Sequence, residues 1–254
     1  MRTVTSRVAA RPREFVRVAG PDAEDFLQRM VSNDVTAAPC EALLLTPKAR
    51  VIAPVVVVRR EPDDFLLLTE PGLGDPVRET LMRARFAAKV EVELEDHRSV
   101  VVLGENGDGI PTADYGEPAA ELIDAELEPT LAEVELERLR IEAGTPTWGK
   151  EIDDSILPAE AGLDETHVSF TKGCYPGQEP IARLRNRGKV NRRLRVLDVE
   201  SAEAGDELRY DGKTVGRVTS AVDGRALAFV RVEVPDDATM EVGIDKKTAR
   251  LVGP

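Results

Sequence analysis

Phe170-Thr171-Lys172-Gly173-Cys174-Tyr175-Pro176-Gly177-Gln178-Glu179 brings a thiol, an ammonium, an aromatic ring, an amide and a carboxylate together, punctuated by two glycines and a proline. Helix interior is the wrong home for such a run, because Gly costs about 1 kcal/mol there and Pro about 3 kcal/mol. It reads as a tight turn that lifts Cys174 and Tyr175 off the backbone. Lys172 and the basic residues downstream favour a thiolate, since electropositive, partly exposed surroundings lower a cysteine pKa from about 8.5 to roughly 3.5–7.5. The same residues also suit a small buried thiol in a glycine-rich turn.

Downstream, Arg183, Arg185, Arg187 and Lys189 recur at two-residue spacing, which predicts one face of an extended strand. From Lys172 to Arg195 there are eight basic residues against the single acid Glu179. That window carries +7 in a chain of formal net charge −13, leaving −20 for the rest. An acidic body with one basic seam points to a particular anionic partner, or else to a solvated strand face. The overall charge argues against nonspecific binding to nucleic acid or to acidic membranes. Beyond residue 193, short strands over 193–199, 207–210, 214–220 and 226–232 alternate with turn signals at Gly205, Asp211-Gly212 and Asp223-Gly224. They predict a small all-β barrel or sandwich of roughly 60 residues.

Upstream, a strand over 16–18 precedes a helix with Ala23, Phe26, Leu27, Met30 and Val31 at helical spacing. Strands follow over 42–45, 50–58 and 65–69, with Pro54 suited to an edge or a bulge. Asp75 as N-cap and Pro76 start a helix to about Phe86, and the alternation of Val90, Val92 and Leu94 with glutamates predicts a half-buried strand. A strand over 99–103 closes a compact α+β unit. Residues 105–128, rich in Gly, Pro and acids, read as loop. A capping box from Thr130 to Glu133 opens a helix that Gly144 stops, and the chain up to Thr166 reads as loop.

The 254 residues allow one or two domains on length alone. No apolar run approaches the roughly 18 residues of a membrane span, the start lacks the apolar core of a secretory signal, and two distant cysteines suggest no disulfide framework. A cytoplasmic location is expected. His97 and His167, the two histidines, lie far apart with no metal-binding spacing. Neither glycine-rich nucleotide loop nor nucleophile elbow occurs. The remaining side chains suit a flat, polyanionic heterocycle. Trp148 and Tyr175 offer stacking surfaces, Glu142 or Glu160 paired acceptors for an amidine-like ring edge, and the arginines of the seam forks for carboxylates.

Lys172-Gly173-Cys174-Tyr175-Pro176-Gly177-Gln178-Glu179 resembles the Lys-Gly-Cys-Tyr-x-Gly-Gln-Glu signature of the YgfZ family of folate-binding proteins, relatives of the glycine-cleavage aminomethyltransferase (T-protein). Further resemblance runs through Gly20-Pro21-Asp22-Ala23, Phe26-Leu27-Gln28, Asn33-Asp34-Val35, Thr46-Pro47-Lys48-Ala49-Arg50, Arg140 to Pro146, Leu157-Pro158-Ala159-Glu160, Arg187 to Leu194 and Val218-Thr219-Ser220. It implies an α+β, three-domain, T-protein-like ring with a ferredoxin-like unit and a small C-terminal β-barrel. The domains expected are 1–45 with 130–188, 46–129, and 189–254. It further implies a tetrahydrofolate-binding accessory protein that assembles or repairs iron–sulfur clusters in client enzymes, with a linked effect on tRNA modification. Cys174 is then the working group, tuned by Lys172. Folate would be held by Glu142, Trp148, Glu160, Tyr175, Gln178, Arg183 and Arg187. Iron–sulfur client or assembly proteins are the expected partners, and RNA contact through the basic seam is a weaker expectation. The alternative activity is folate-dependent one-carbon or aminomethyl transfer. Against it, Val51-Ile52-Ala53-Pro54 lacks the carboxylate that the T-protein carries in that strand.

Overall fold

The computed structural model describes residues 7–104 and 108–252; the side chain of Arg187 lies outside the described residues. The N-terminal part runs β1 (Arg7–Ala10), β2 (Glu14–Ala19), α1 (Ala23–Met30), β3 (Cys40–Leu45), β4 (Val51–Glu61), β5 (Asp64–Thr69), α2 (Gly74–Ala84), β6 (Glu91–Glu95) and β7 (Ser99–Leu103). Next come β8 (Ile110–Thr112), β9 (Ala119–Ile123), α3 (Glu133–Ala143), a 3₁₀ turn (Pro158–Glu160), α4 (Leu163–Thr166) and α5 (Gln178–Arg187). The C-terminal part is all strand: β10 (Arg192–Val199), β11 (Glu207–Tyr210), β12 (Lys213–Val222), β13 (Arg225–Arg231), β14 (Thr239–Val242) and β15 (Lys247–Leu251).

Strands β3-β4-β5-β2-β6 form one antiparallel sheet and β1-β7-β9-β8 a second. In β4 the two-residue alternation sends Ala53, Val55 and Val57 into a core with Phe26, Leu27, Val77 and Leu81 of the covering helices. Its other face, through Val56 and Val58, packs with Phe15, Leu66 and Leu68 against Ile110 and Ile123 of the second sheet. A sheet covered on both sides explains why β5 reads as the unbroken apolar run Phe65-Leu66-Leu67-Leu68. Each such side chain, fully buried, contributes about 1.5–3 kcal/mol. Pro54 is not on an edge strand, since β4 lies between β3 and β5. It sits just past the last β5 pair, Val55 with Thr69, and close to the register shift opposite Leu44 and Leu45. Pro54 itself pairs in register with Leu43, so neither an edge nor a bulge holds it; it falls where β5 no longer pairs with β4.

The C-terminal strands close as β10-β13-β12-β11-β14-β15, with β15 returning to β10. The turns at Asp211 and Asp223 hold φ of 50° and 45°, the left-handed geometry that tight hairpins require.

Five further expectations are corrected. The chain up to Thr166, expected as loop, holds the 3₁₀ turn at Pro158–Glu160 and helix α4. The basic run is helix: Arg183, Arg185 and Arg187 belong to α5, whose Gly177 N-cap is left-handed at φ 84° and whose Gly188 ends it. Its Pro180 falls in the first turn, where no intrahelical donor is lost. Residues 108–128 are not merely loop, because β8 and β9 add to β7 there; residues 105–107 lie outside the described residues. Helix α2 begins at Gly74 after Leu73, not from an Asp75 cap. Helix α3 begins at Glu133, where Glu135 rather than Glu133 accepts from a capping N–H, that of Ala132, at 3.1 Å. Thr130 instead accepts from the Val8 N–H.

Candidate functional site

The Lys172–Gly177 loop leads into α5 and packs on the turn between β3 and β4. A Cβ at Gly177 would lie 2.8 Å from the Thr46 carbonyl oxygen, so only glycine permits this approach. Ala49, in the opposing turn, holds φ 59°, a strained conformation for a residue with a side chain. Cys174 is exposed at the crest of the loop. Tyr175 turns inward, 7% exposed, and packs with Leu43, Leu45, Ile181 and Phe229. Its hydroxyl is the one buried side-chain polar atom without a hydrogen-bond partner among the described residues.

The segment after α1 anchors this loop. Lys172 Nζ donates to the Val31 and Asn33 carbonyls at 2.8 and 2.6 Å, and Ser169 N–H donates to the Ser32 carbonyl at 2.9 Å. Ser32 Oγ donates to the His167 carbonyl at 2.6 Å and accepts from Leu43 N–H at 2.8 Å. Asn33 Nδ2 donates to the Glu41 and Thr166 carbonyls at 2.7 and 3.0 Å. Burial pushes the Lys172 ammonium down to about 8, against the opposing pull of Asp34 and Cys40. Hydrogen bonds from Thr36 and Gln28 hold the Asp34 carboxyl below its ordinary range.

The thiol that shares Lys172's electrostatics is thus Cys40, whose Sγ donates to the Asp34 carbonyl at 3.5 Å. Burial pushes the Cys40 thiol up to about 11. Sequence reasoning set Cys40 aside, and no local signal marks it, because its neighbours come from α1 and the distant loop.

The other sequence candidates are dispersed. Trp148 is half-buried and bridges the core under the first sheet and the cluster around Tyr175. Glu142 is bonded to Arg138 at 3.0 Å and lies 3.9 Å from Arg225. The Glu160 carboxylate accepts from Arg192 at 3.2 and 3.3 Å. Gln178 opens α5. Arg183 is exposed and helps line an apolar cleft of about 480 Å³ with Ala49, Leu157, Pro158, Ile181 and Leu184. Arg187 shares α5, its side chain outside the described residues. Arg185 instead stacks on Phe170, 3.7 Å from the ring centroid.

One buried polar knot went unread in the sequence. Arg140 of α3 bonds Glu151 at 3.0 Å and Ser220 of β12 at 2.9 Å, and Ser220 Oγ donates to Glu151 at 2.6 Å. Glu151 is 1% exposed. It pins the barrel to α3 and to the turn that carries Trp148. Among the described residues, no group of three or more His, Cys, Asp or Glu is placed to hold a metal ion, and no helix is long and apolar enough to cross a membrane.

Against known proteins, residues 191–254 match the CAF17 C-terminal β-barrel domain. The chain is 24% identical over 294 residues to the tRNA-modifying protein YgfZ of Escherichia coli O127:H6, covering 92% of this chain and 88% of that one. It is 25% identical over 285 residues to a mitochondrial iron–sulfur cluster assembly factor IBA57 homolog of Pyricularia oryzae, covering 91% and 73%. The glycine cleavage system aminomethyltransferase T of Bartonella henselae superposes with a TM-score of 0.83 over 98% of this chain and 85% of that one, at 18% identity.

Proposed function

We propose, from a chain that is a homologue of the YgfZ and IBA57 proteins and has the T-protein fold, that it binds a reduced folate and serves iron–sulfur cluster assembly or repair through Cys174. The observation that carries this reading is the loop itself: one exposed thiol beside a buried tyrosine whose hydroxyl is unpartnered. Burying a hydroxyl without a hydrogen bond costs about 1–3 kcal/mol, so a ligand that satisfies it recovers free energy on binding. The neighbouring cleft has the size and apolar lining of a small-molecule site, and Arg183 supplies a guanidinium there for a carboxylate.

A reduced folate fits this donor set: a flat ring for an apolar slot and a carboxylate-bearing tail for an arginine. When bound it supplies a one-carbon carrier. The chain's own residues hold the ring and keep the Cys174 thiol in the open, where a partner protein can reach it. The partners in this reading are proteins of iron–sulfur assembly and their clients, and the effect on tRNA modification is indirect, through a client.

Two measurements test the reading. A thermal-shift titration with tetrahydrofolate should raise stability, by about 2.7 kcal/mol at a hundred times the dissociation constant. Cys174→Ala should keep that shift and lose rescue of iron–sulfur enzyme activity in a deletion strain. A variant that rescues fully removes the thiol from the function.

A further inference from the structure

Gly162, left-handed at φ 75°, leads the chain from the 3₁₀ turn into α4. The next residue, Leu163, is 3% exposed and packs with Ile156, Val168 and Tyr175. That anchor fixes Asp164, one position on, in the wall of the cleft that Leu157, Pro158, Ile181 and Leu184 also line. Asp164 is half-buried, and its carboxylate has no hydrogen-bond or ion-pair partner among the described residues. The Arg183 guanidinium on α5, in the same cleft, is likewise unpartnered among them. An acid and a base thus share one apolar cleft without pairing. The carboxylates that the sequence offered for a ring edge are engaged elsewhere. Glu142 holds Arg138 at 3.0 Å and Glu160 holds Arg192 at 3.2 Å, and neither lines the cleft.

We propose that Asp164 decides which ring the cleft accepts: its carboxylate takes the amino–imino edge of the heterocycle, while Arg183 takes the anionic tail. The inference rests on the folate reading and adds to it the residue that selects the ring and the direction in which the ligand lies. An ionised carboxylate offers two coplanar acceptors and no donor. Those acceptors match the parallel N–H groups on the edge of an aminopyrimidinone ring. A ring with carbonyls along that edge would set acceptor against acceptor and be refused. Apolar walls keep competing water away and strengthen such a charge-assisted bond. The separation of the two charges is the second part of the argument. Opposite charges within reach of each other attract strongly in apolar surroundings, yet α4 and α5 hold Asp164 and Arg183 apart. A ligand with a donor edge at one end and a carboxylate at the other satisfies both. A purely apolar ligand would cover two unpaired charges, which is costly.

The test titrates the full chain, Asp164→Asn and Arg183→Met calorimetrically with three probes: tetrahydrofolate, a tail-less tetrahydropterin, and p-aminobenzoylglutamate as the tail alone. Asp164→Asn, which sets a donor against the ring's donors, should weaken tetrahydrofolate and tetrahydropterin by the same factor, roughly ten- to a hundredfold. It should leave the tail probe unchanged. Arg183→Met should weaken tetrahydrofolate and the tail probe and spare tetrahydropterin. Because the Asp164 carboxylate bonds to no described residue, Asp164→Asn should melt with the wild type. Unchanged tetrahydrofolate binding by Asp164→Asn overturns the proposal and leaves the folate reading standing. An equal loss for all three probes does the same, since it marks a structural role for Asp164. Tetrahydropterin binding that depends on Asp164, without any binding of tetrahydrofolate, overturns the folate reading and keeps the ring assignment. A wild type that binds none of the three probes overturns both.

Discussion

Lys172 Nζ sits 2.6 Å from the carbonyl oxygen of Asn33, and a second bond at 2.8 Å ties it to Val31. The lysine of the signature is therefore a strut between the thiol-bearing loop and the end of α1. Lys172→Met should leave two carbonyls without their donor and destabilise the chain by about 1–3 kcal/mol. Hydrogen exchange should show lost protection over 169–175, and an unchanged exchange pattern would remove the strut.

The two thiols should differ sharply in reactivity. Cys174 is exposed, whereas burial pushes Cys40 up to about 11. An aromatic disulfide reagent at pH 8 should titrate one thiol rapidly and the second only on unfolding. Cys174→Ala should abolish the rapid phase and Cys40→Ala should keep it.

Breaking the Arg140–Glu151 contact should be among the most damaging single changes. Both residues are buried, at 6% and 1% exposure; Glu151→Ala leaves Arg140 with Glu137 at 2.7 Å as its remaining anion and removes the acceptor of the Ser220 hydroxyl and the Thr147 N–H, at a cost of about 1–3 kcal/mol. Urea unfolding of Glu151→Ala, Arg140→Met and the double variant should show the double variant less destabilised than the sum.

Gly177→Ala meets two obstacles at once: a φ of 84° and a Cβ 2.8 Å from the Thr46 oxygen. Backbone strain of this kind costs about 1–3 kcal/mol. The expected result is a lowered melting temperature with the loop displaced from Thr46. Gly173→Ala, with open space around its Cβ position, is the control and should change stability little.

Stability should also report the half-buried Glu41 carboxyl. The Glu41 carboxyl is raised to about 7 from an ordinary 4.5, so the folded state holds its proton more tightly than the unfolded chain. Its contribution is complete below about pH 4.5 and is lost as pH rises through 7. Glu41→Gln should therefore match the wild type in acid and exceed it at pH 8.5. His167 has the opposite sign: depressed to about 4 from 6.5, it costs stability as pH falls from 6.5 through 4. Melting temperatures of wild type and variant across pH 4–9 check both.

Much of the architecture was legible because it follows from local pattern. Strand β7 over Ser99–Leu103 and strand β11 over Glu207–Tyr210 are read to the residue, since each is an apolar or alternating run bounded by turn formers. What failed had a competing local signal. The arginines at 183, 185 and 187 mimic a strand face, while the helix they occupy is announced only by Gly177, a first-turn proline and the three-residue step from Ile181 to Leu184. Strand β9, Ala119–Ile123, has little β-propensity of its own and exists because β7 offers it an edge. The site was half legible. Its loop lies in one continuous motif, but Cys40, Glu41 and His167 reach it only through pairing and packing between distant segments.

The barrel's closure sets a rule for whatever docks on that lobe. With β15 bonded back to β10, the circuit of main-chain bonding is complete and no rim is left on which a visiting polypeptide could lengthen the sheet. Any polypeptide that docked there would have to be gripped by side chains and hairpin tips, which would place its discrimination in surface chemistry that single substitutions can rewrite without disturbing the lobe beneath.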